Sequence, residues 1–270
     1  MLPLYIDIES IPAQNPAVLD EIRASFEEKA KPLREEIERL DAEYEEPTPP
    51  ANYKDQEKIR AWKDEKRGKI REERDKKREK LDGIADQADQ EWRKTALSGD
   101  RGEIVVIGWA FDDKPAQVAY RGLAETEPPV LEEFFDALYL ELNKPGRPTT
   151  PQWVGHNVKE FDLRFIFQRA VINGRRPTAY LPHDARPGSD LIFDTMTAWA
   201  GFGNRISQDR LCRALGIPGK DGMDGSMVWD AIRDGREDAV AEYCRADVER
   251  VREIHKRMTF HQPTKSEEAA

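Results

Sequence analysis

The apolar positions of this 270-residue chain change their spacing from one segment to the next, and the spacing predicts the elements. Leu4 to Ser10 alternates between apolar and polar residues, the period of a strand. Glu103 to Phe111 is a nearly unbroken apolar run and also reads as a strand. Asp112-Asp113-Lys114-Pro115 is a turn that leads into a third strand, Ala116 to Arg121. An amphipathic helix follows from about Pro129 to Leu142. After the linker Lys144 to Pro151, Gln152 to Gly155 reads as a short buried strand and Phe161 to Asn173 as a helix. The last long helix is expected from about Glu237 to Met258. Three antiparallel strands, then a strand that returns after a crossover helix, describe an α/β fold with a mixed sheet flanked by helices.

One stretch breaks this pattern. Asp20 to Leu97 is dominated by Glu, Lys, Arg and Asp. In its first arm Ile22, Phe26, Leu33, Ile37, Leu40 and Tyr44 recur at steps of three or four, or sums of them, as in the seam of a coiled coil. Pro47, Pro49 and Pro50 end that arm. A second arm from about Lys54 to Leu97 carries a sparser seam through Ile59, Trp62, Ile70, Leu81, Ile84 and Trp92. Asp20 to Glu46 holds 5 basic and 11 acidic residues, net −6; Lys54 to Lys80 holds 13 and 8, net +5. Opposite signs favour an inserted antiparallel coiled-coil helical hairpin. Two readings stay open: a solvated insertion, or a contact arm. In the second, the basic strand touches a nucleic-acid backbone, or the tip at Pro47 to Tyr53 touches a protein partner.

This insertion explains why charged residues reach 36% while hydrophobic ones stop at 38%. The net charge of −10 argues against a protein that grips nucleic acid through one broad basic face. It leaves room for a nuclease, because clustered carboxylates with bound divalent cations reverse the local sign. The longest apolar run, Ile104 to Phe111, is far short of a bilayer span, and the N-terminus enters a strand with no basic region or cleavage site. A soluble cytoplasmic protein with no membrane partner is expected. Cys212 and Cys244 lack zinc spacing and read as reduced thiols.

Candidate chemistry lies in three places. On the first strand Asp7 and Glu9 are two apart and share a face. Alone, such a pair reads more readily as a structural or surface feature, and it becomes informative only with partners. Asp162 falls where a strand gives way to a helix, a position that suits the helix dipole and also suits a ligand site. Tyr243 and Asp247, four apart, share a helix face, as an ordinary Tyr/Asp pair would.

Taken in order, Asp7-x-Glu9, Asn157-x3-Phe161-Asp162 and Tyr243-x3-Asp247 resemble the motifs of the DnaQ-like (DEDD) exonuclease superfamily, with Tyr243 marking the DEDDy branch. Ile107-Gly-Trp-Ala-Phe111, Gly155-His-Asn157 and Leu215-Gly-Ile-Pro-Gly-Lys220 add a likeness to the proofreading domains of family-B DNA polymerases and their stand-alone relatives. The resemblance implies a ribonuclease H-like mixed sheet and 3′→5′ removal of nucleoside 5′-monophosphates, with single-stranded DNA favoured. It implies two divalent cations, Mg²⁺ or Mn²⁺. Asp7 would bridge them, Glu9 and Asp247 would bind the ion that activates water, and Asp162 would act through the second ion's coordination shell. Tyr243 would orient the water. Ser10 and Ile11 would meet the terminal sugar through their backbone, Phe161 would pack on the last nucleotide, Asn157 would bond near it or only stabilise the turn, and Lys220 would contact a phosphate.

The expected organisation is an exonuclease domain over 1–19 and 98–262, the hairpin over 20–97, and a polar tail over 263–270. An exoribonuclease, or a non-catalytic adaptor that works through the hairpin, are the rival functions. Gly216 to Lys220 lacks the glycine spacing of a phosphate-binding loop. Asp190 and Asp194 bracket Leu-Ile-Phe ahead of a helix and read as capping residues, and His156 reads as a turn residue rather than a metal ligand.

Overall fold

The computed structural model describes residues 1–219 and 222–261, so Lys220 and the 263–270 tail lie outside the described residues. The chain forms two units, Ala13–Lys94 and Met1–Pro12 with Thr95–Ala270.

The first unit is a helical hairpin. Helix α1, Pro16–Glu45, starts four residues before the charged run, because Asn15 caps it by accepting from the Ala17 N–H and Pro16 fits the first turn. It continues through Pro32. Helix α2 runs Gln56–Lys94. The pairs Lys66–Glu43 at 2.8 Å, Arg74–Asp41 at 3.1 Å and Lys77–Glu36 at 2.7 Å show that one helix descends as the other rises, so the two are antiparallel. The seam is thin. Ile22, Ala30, Ile37 and Leu40 of α1 and Ile70 of α2 are buried, while Phe26, Leu33, Tyr44 and Trp62 are half-buried. The Trp92 ring N–H donates to the Ala13 carbonyl at 2.9 Å and ties the two ends of the unit together.

The second unit is built on a five-stranded sheet of order β3-β2-β1-β4-β5. Strand β1, Leu2–Ile11, pairs antiparallel with β2, Glu103–Phe111, which pairs antiparallel with β3, Gln117–Tyr120. On its other edge β1 runs parallel to β4, Pro151–Gly155, and β4 runs parallel to β5, Ile192–Asp194. These directions and this order are those of a ribonuclease H-like α/β sheet. The three-residue β5 was not expected; it is too short to show a period.

Helices α3, Pro128–Leu142, and α4, Arg164–Ile172, cover one face, where Leu4, Ile6 and Ile8 meet Leu131, Phe134, Phe165 and Ile166. A single π-helical turn, Lys159–Leu163, precedes α4, so the helical path begins slightly before the expected Phe161. The short α5, Thr195–Ala200, α6, Gln208–Leu215, and α7, Val228–Arg233, lead to α8, Glu237–Met258. Helix α8 packs on the opposite face, with Val248 and Val251 against Tyr5, Ala110 and Val154. Cys212 and Cys244 are both buried and are not joined in a disulfide. Among the described residues no helix is long and apolar enough to cross a membrane.

One buried titratable group makes this packing sensitive to acid. His255 of α8 shares a hydrogen bond of 3.1 Å with the Tyr5 hydroxyl and packs edge-on to Phe193. Burial holds its pKa down at about 4, below the ordinary 6.5. The unfolded chain takes up a proton near pH 6.5 and the folded one does not, so stability is fully present above that pH and is lost as pH falls towards 4. Discounted for partial solvation, this is worth about 2 kcal/mol. The melting temperature is expected to fall between pH 6.5 and 4, and His255→Phe should flatten that fall. An unchanged slope in the variant would refute the assignment.

Candidate active site

The alternation of β1 sends Leu4, Ile6 and Ile8 under α3 and α4, and turns Tyr5, Asp7 and Glu9 towards α8. Whether those carboxylates meet α8 depends on how closely the helix approaches. The residue opposite Asp7 in the ladder is Gly108 of β2. A Cβ there would lie 2.9 Å from both the Cys244 Sγ and a Val248 methyl of α8. The missing side chain therefore lets α8 sit against the sheet. Gly108→Ala is expected to cost about 1–3 kcal/mol through overpacking. Because α8 carries Tyr243 and Asp247, activity should drop further, by about 10²-fold for a displacement near 1 Å. Denaturation and steady-state rates on the same preparation check both; a change in neither would show that the contact is not limiting.

With α8 docked, ligand oxygens of Asp7, Glu9 and Asp247 all lie within 4.8 Å of one another. Glu9 and Asp247 are buried, and Asp7 is partly so. The Cys244 thiol lies 3.5 Å from an Asp7 carboxylate oxygen. Burial, followed by the charge of Asp7, pushes that thiol's pKa up, so it stays protonated. Asp162 is not one of the three carboxylates that converge; it meets β1 at the strand's other edge. Strand β4 pairs with β1 only as far as Tyr5↔Val154, and beyond that point the Ile8 N–H donates to Asp162 Oδ1 at 3.0 Å. Asp162 is 2% exposed. Desolvation first, then the negative charge of Asp7, pushes its pKa well above the ordinary carboxylate value. Buried hard oxygen donors that raise one another's proton affinity suit a divalent cation of the oxygen-loving kind.

Tyr243 is half-buried beside these groups. Desolvation, then the charges of Glu9, Asp247 and Asp7, raises its phenol pKa far above the ordinary value, and a hydrogen bond to the Asp247 side chain adds to the shift. A phenol so placed is neutral at physiological pH.

The remaining candidates are placed less uniformly. The Ser10 hydroxyl donates to the Ala96 carbonyl at 2.6 Å. Ile11 is 0% exposed, packed with Val105, Val228 and Ile232, and presents no surface, backbone included, to a sugar. Asn157 has a left-handed φ of 65°, and its N–H donates to Asp194 Oδ1 at 3.0 Å, which makes it the turn residue between β4 and the π turn. Asp194 also caps α5 through the N–H groups of Met196 and Thr197. Phe161 is partly buried against Phe165. Both ring nitrogens of His156 are engaged, by the Thr195 hydroxyl at 2.9 Å and the Ile206 carbonyl at 2.8 Å, which fits a turn residue.

Sequence reading missed Arg250. Its Nη1 donates to Asp247 Oδ1 at 2.6 Å and its Nη2 to the Gly219 carbonyl at 3.1 Å, so it fixes the carboxylate on α8 and the loop after α6 together. The three-residue spacing from Asp247 was the available signal. Gln208, which donates to the Asp247 carbonyl at 3.2 Å, had none.

No curated protein matches this chain. Among solved structures it is similar to the family B DNA polymerase from the hyperthermophilic archaeon Pyrobaculum calidifontis, at 16% identity and a TM-score of 0.46, over 60% of this chain and 22% of that one. The chain thus spans about a fifth of that polymerase's length. Residues 103–268, well over half of the chain, match the model of one family. The chain belongs to the predicted 3′→5′ exonucleases related to the exonuclease domain of PolB.

Proposed function

We propose that this protein is a divalent-metal-dependent 3′→5′ exonuclease that releases nucleoside 5′-monophosphates from single-stranded DNA. The observation that carries the reading is the convergence of Asp7, Glu9 and Asp247 within 4.8 Å, on a chain of this family. Asp7, Glu9 and Asp247 would hold one divalent cation, and Asp162 with Asp7 would hold a second, Mg²⁺ or Mn²⁺ in each case. Cations bound there supply a nucleophile at neutral pH and offset charge on the leaving 3′-oxygen.

The chain's own groups do the rest. Tyr243, neutral and bonded to Asp247, keeps phenol lone pairs that accept a hydrogen bond from water and aim it; its raised pKa suits orientation and not proton removal. Arg250 holds Asp247 in one rotamer, so that ligand oxygen is preorganised. Phe161, one residue before Asp162 and partly exposed, would pack on the terminal base.

The test uses single strands labelled at either end, incubated with Mg²⁺, with Mn²⁺ or with EDTA. Stepwise shortening from the 3′ end that needs metal is expected. Cutting within the strand, or shortening in EDTA, would overturn the proposal. A matched RNA strand decides the sugar preference, and faster turnover of RNA would replace DNA as the substrate.

A further inference from the structure

We propose that a cleft of about 850 Å³ beside the carboxylates holds the single-stranded nucleotides that precede the terminal one, with Phe202 as a stacking platform and Arg186 and Arg205 as phosphate contacts. The inference rests on the nuclease reading above and gives it a second contact surface.

Position is the first argument. One wall of the cleft is the turn and helical start that carry Asn157 and Phe161, and the next residue is Asp162. A strand whose 3′ end reaches the carboxylates continues along that wall.

Phe202 is the second. It is 85% exposed, on the loop that follows α5, and lines the cleft. Gly201 and Gly203 on either side have φ of 83° and 81°, a conformation that glycine adopts without strain. The backbone there holds a large aromatic out in water, where it adds nothing to the core. An aromatic face on a groove rim is what an unstacked base packs on, whatever its sequence.

Charge is the third. In a chain of net charge −10, most cationic side chains around the sheet are paired with carboxylates, as Arg169, Arg121 and Arg250 are. Arg186 and Arg205 are exposed cleft residues, and among the described residues neither guanidinium has a carboxylate partner. The cleft's own carboxylate nearest the turn, Asp194, is already committed to three N–H groups. Uncommitted guanidinium groups beside exposed aromatic rings match a phosphate backbone with splayed bases.

The test measures binding of fluorescein-labelled dT12 by anisotropy in EDTA, where binding is read without turnover. Hydrolysis of the p-nitrophenyl ester of thymidine 5′-monophosphate with Mn²⁺, a substrate with no preceding nucleotide, is measured alongside. Phe202→Ala is expected to weaken dT12 binding about tenfold and to leave turnover of the single-nucleotide ester unchanged. Arg186→Ala with Arg205→Ala should make the salt dependence of log K shallower by about 1.4, two phosphate contacts on a single strand. All three side chains are exposed, so melting temperatures should match the wild type, which separates a lost contact from lost folding. If the wild type binds dT12 and the triple variant binds it equally well, the cleft assignment is wrong and the nuclease reading stands. A wild type that neither binds nor shortens any strand overturns both.

Discussion

Asp7→Asn is expected to lower turnover by at least about 10³-fold while leaving the protein more stable, not less. The loss follows from the position of Asp7. It is the carboxylate that meets Glu9 and Asp247 on one side and acts electrostatically on Asp162 on the other. An amide of the same shape removes the charge needed for cation binding, and several kcal/mol of transition-state stabilisation go with it. The gain in stability follows from the same geometry. Asp162 is desolvated and its ionisation is opposed by the charge of Asp7, so in the absence of metal the ionised cluster is a source of repulsion.

The sign of the pH dependence is set by that raised pKa. The contribution of Asp162 to stability is fully present below the ordinary carboxylate range, where the group is protonated in both states. It is lost as pH rises towards the raised folded value. In EDTA the wild type should therefore lose stability as pH rises from that range, and Asp7→Asn should lose less. An increment of about 1 kcal/mol would raise the melting temperature by roughly 2–4 °C for a unit of this size. Added Mn²⁺ should stabilise the wild type, and the variant less. Turnover within tenfold of the wild type would remove Asp7 from the mechanism. A fall in melting temperature together with lost activity would show that the aspartate is structural.

Glu127→Ala should be the most destabilising single change outside the carboxylate cluster. Glu127 stands before α3 and is buried with Arg169 of α4, the two side chains 3% and 9% exposed. Its carboxylate accepts from Arg169 Nη2 at 2.6 Å, from the Asn173 amide at 2.7 Å, and from the main-chain N–H of Ile104 at 2.7 Å. One side chain thus joins the start of β2, the start of α3 and the end of α4. Its removal strands a buried guanidinium and a strand N–H, a loss of about 3–5 kcal/mol, or roughly 6–20 °C in melting temperature. Adding Arg169→Met to Glu127→Ala should restore part of it, because the cost lies mainly in the uncompensated charge. A double variant no better than Glu127→Ala alone would assign the loss to the Ile104 N–H. Chemical denaturation of the wild type, Glu127→Ala, Arg169→Met and the double variant distinguishes these outcomes.

How far the sequence carried depends on the range of each contact. The two-residue spacing of Asp7 and Glu9 and the four-residue spacing of Tyr243 and Asp247 are local, so strand and helix periodicity were enough to assign each pair to one face. That those faces meet is a matter of packing, and it turns on Gly108, whose role appears only when α8 lies across it. Asp162 was readable as a residue at a strand-to-helix junction; its hydrogen bond to Ile8 exists because β4 stops short of β1's end, which periodicity does not reveal. Ile11 continues the register that holds Glu9, yet β1 bulges between Glu9 and Ser10, and beyond that bulge Ile11 falls into the core. The hairpin was legible because charge and heptad-like spacing run together over many turns. The three-residue β5 was not, since no period fits in it.

The close approach of α8 at Gly108 also bears on how the carboxylate cluster comes together. Asp7 and Asp247 are separated by nearly the whole described chain, and the contact between them is among the most non-local in the fold. The pairing of α1 with α2 closes a short loop, whereas bringing Asp7 and Asp247 together closes a long one, whose entropy must be repaid by the contacts of the sheet. Without the docked α8, Asp7 and Glu9 lack Asp247 and the carboxylates are not assembled. If the carboxylates act as proposed, their assembly, and with it turnover, waits on the last long-range step in folding.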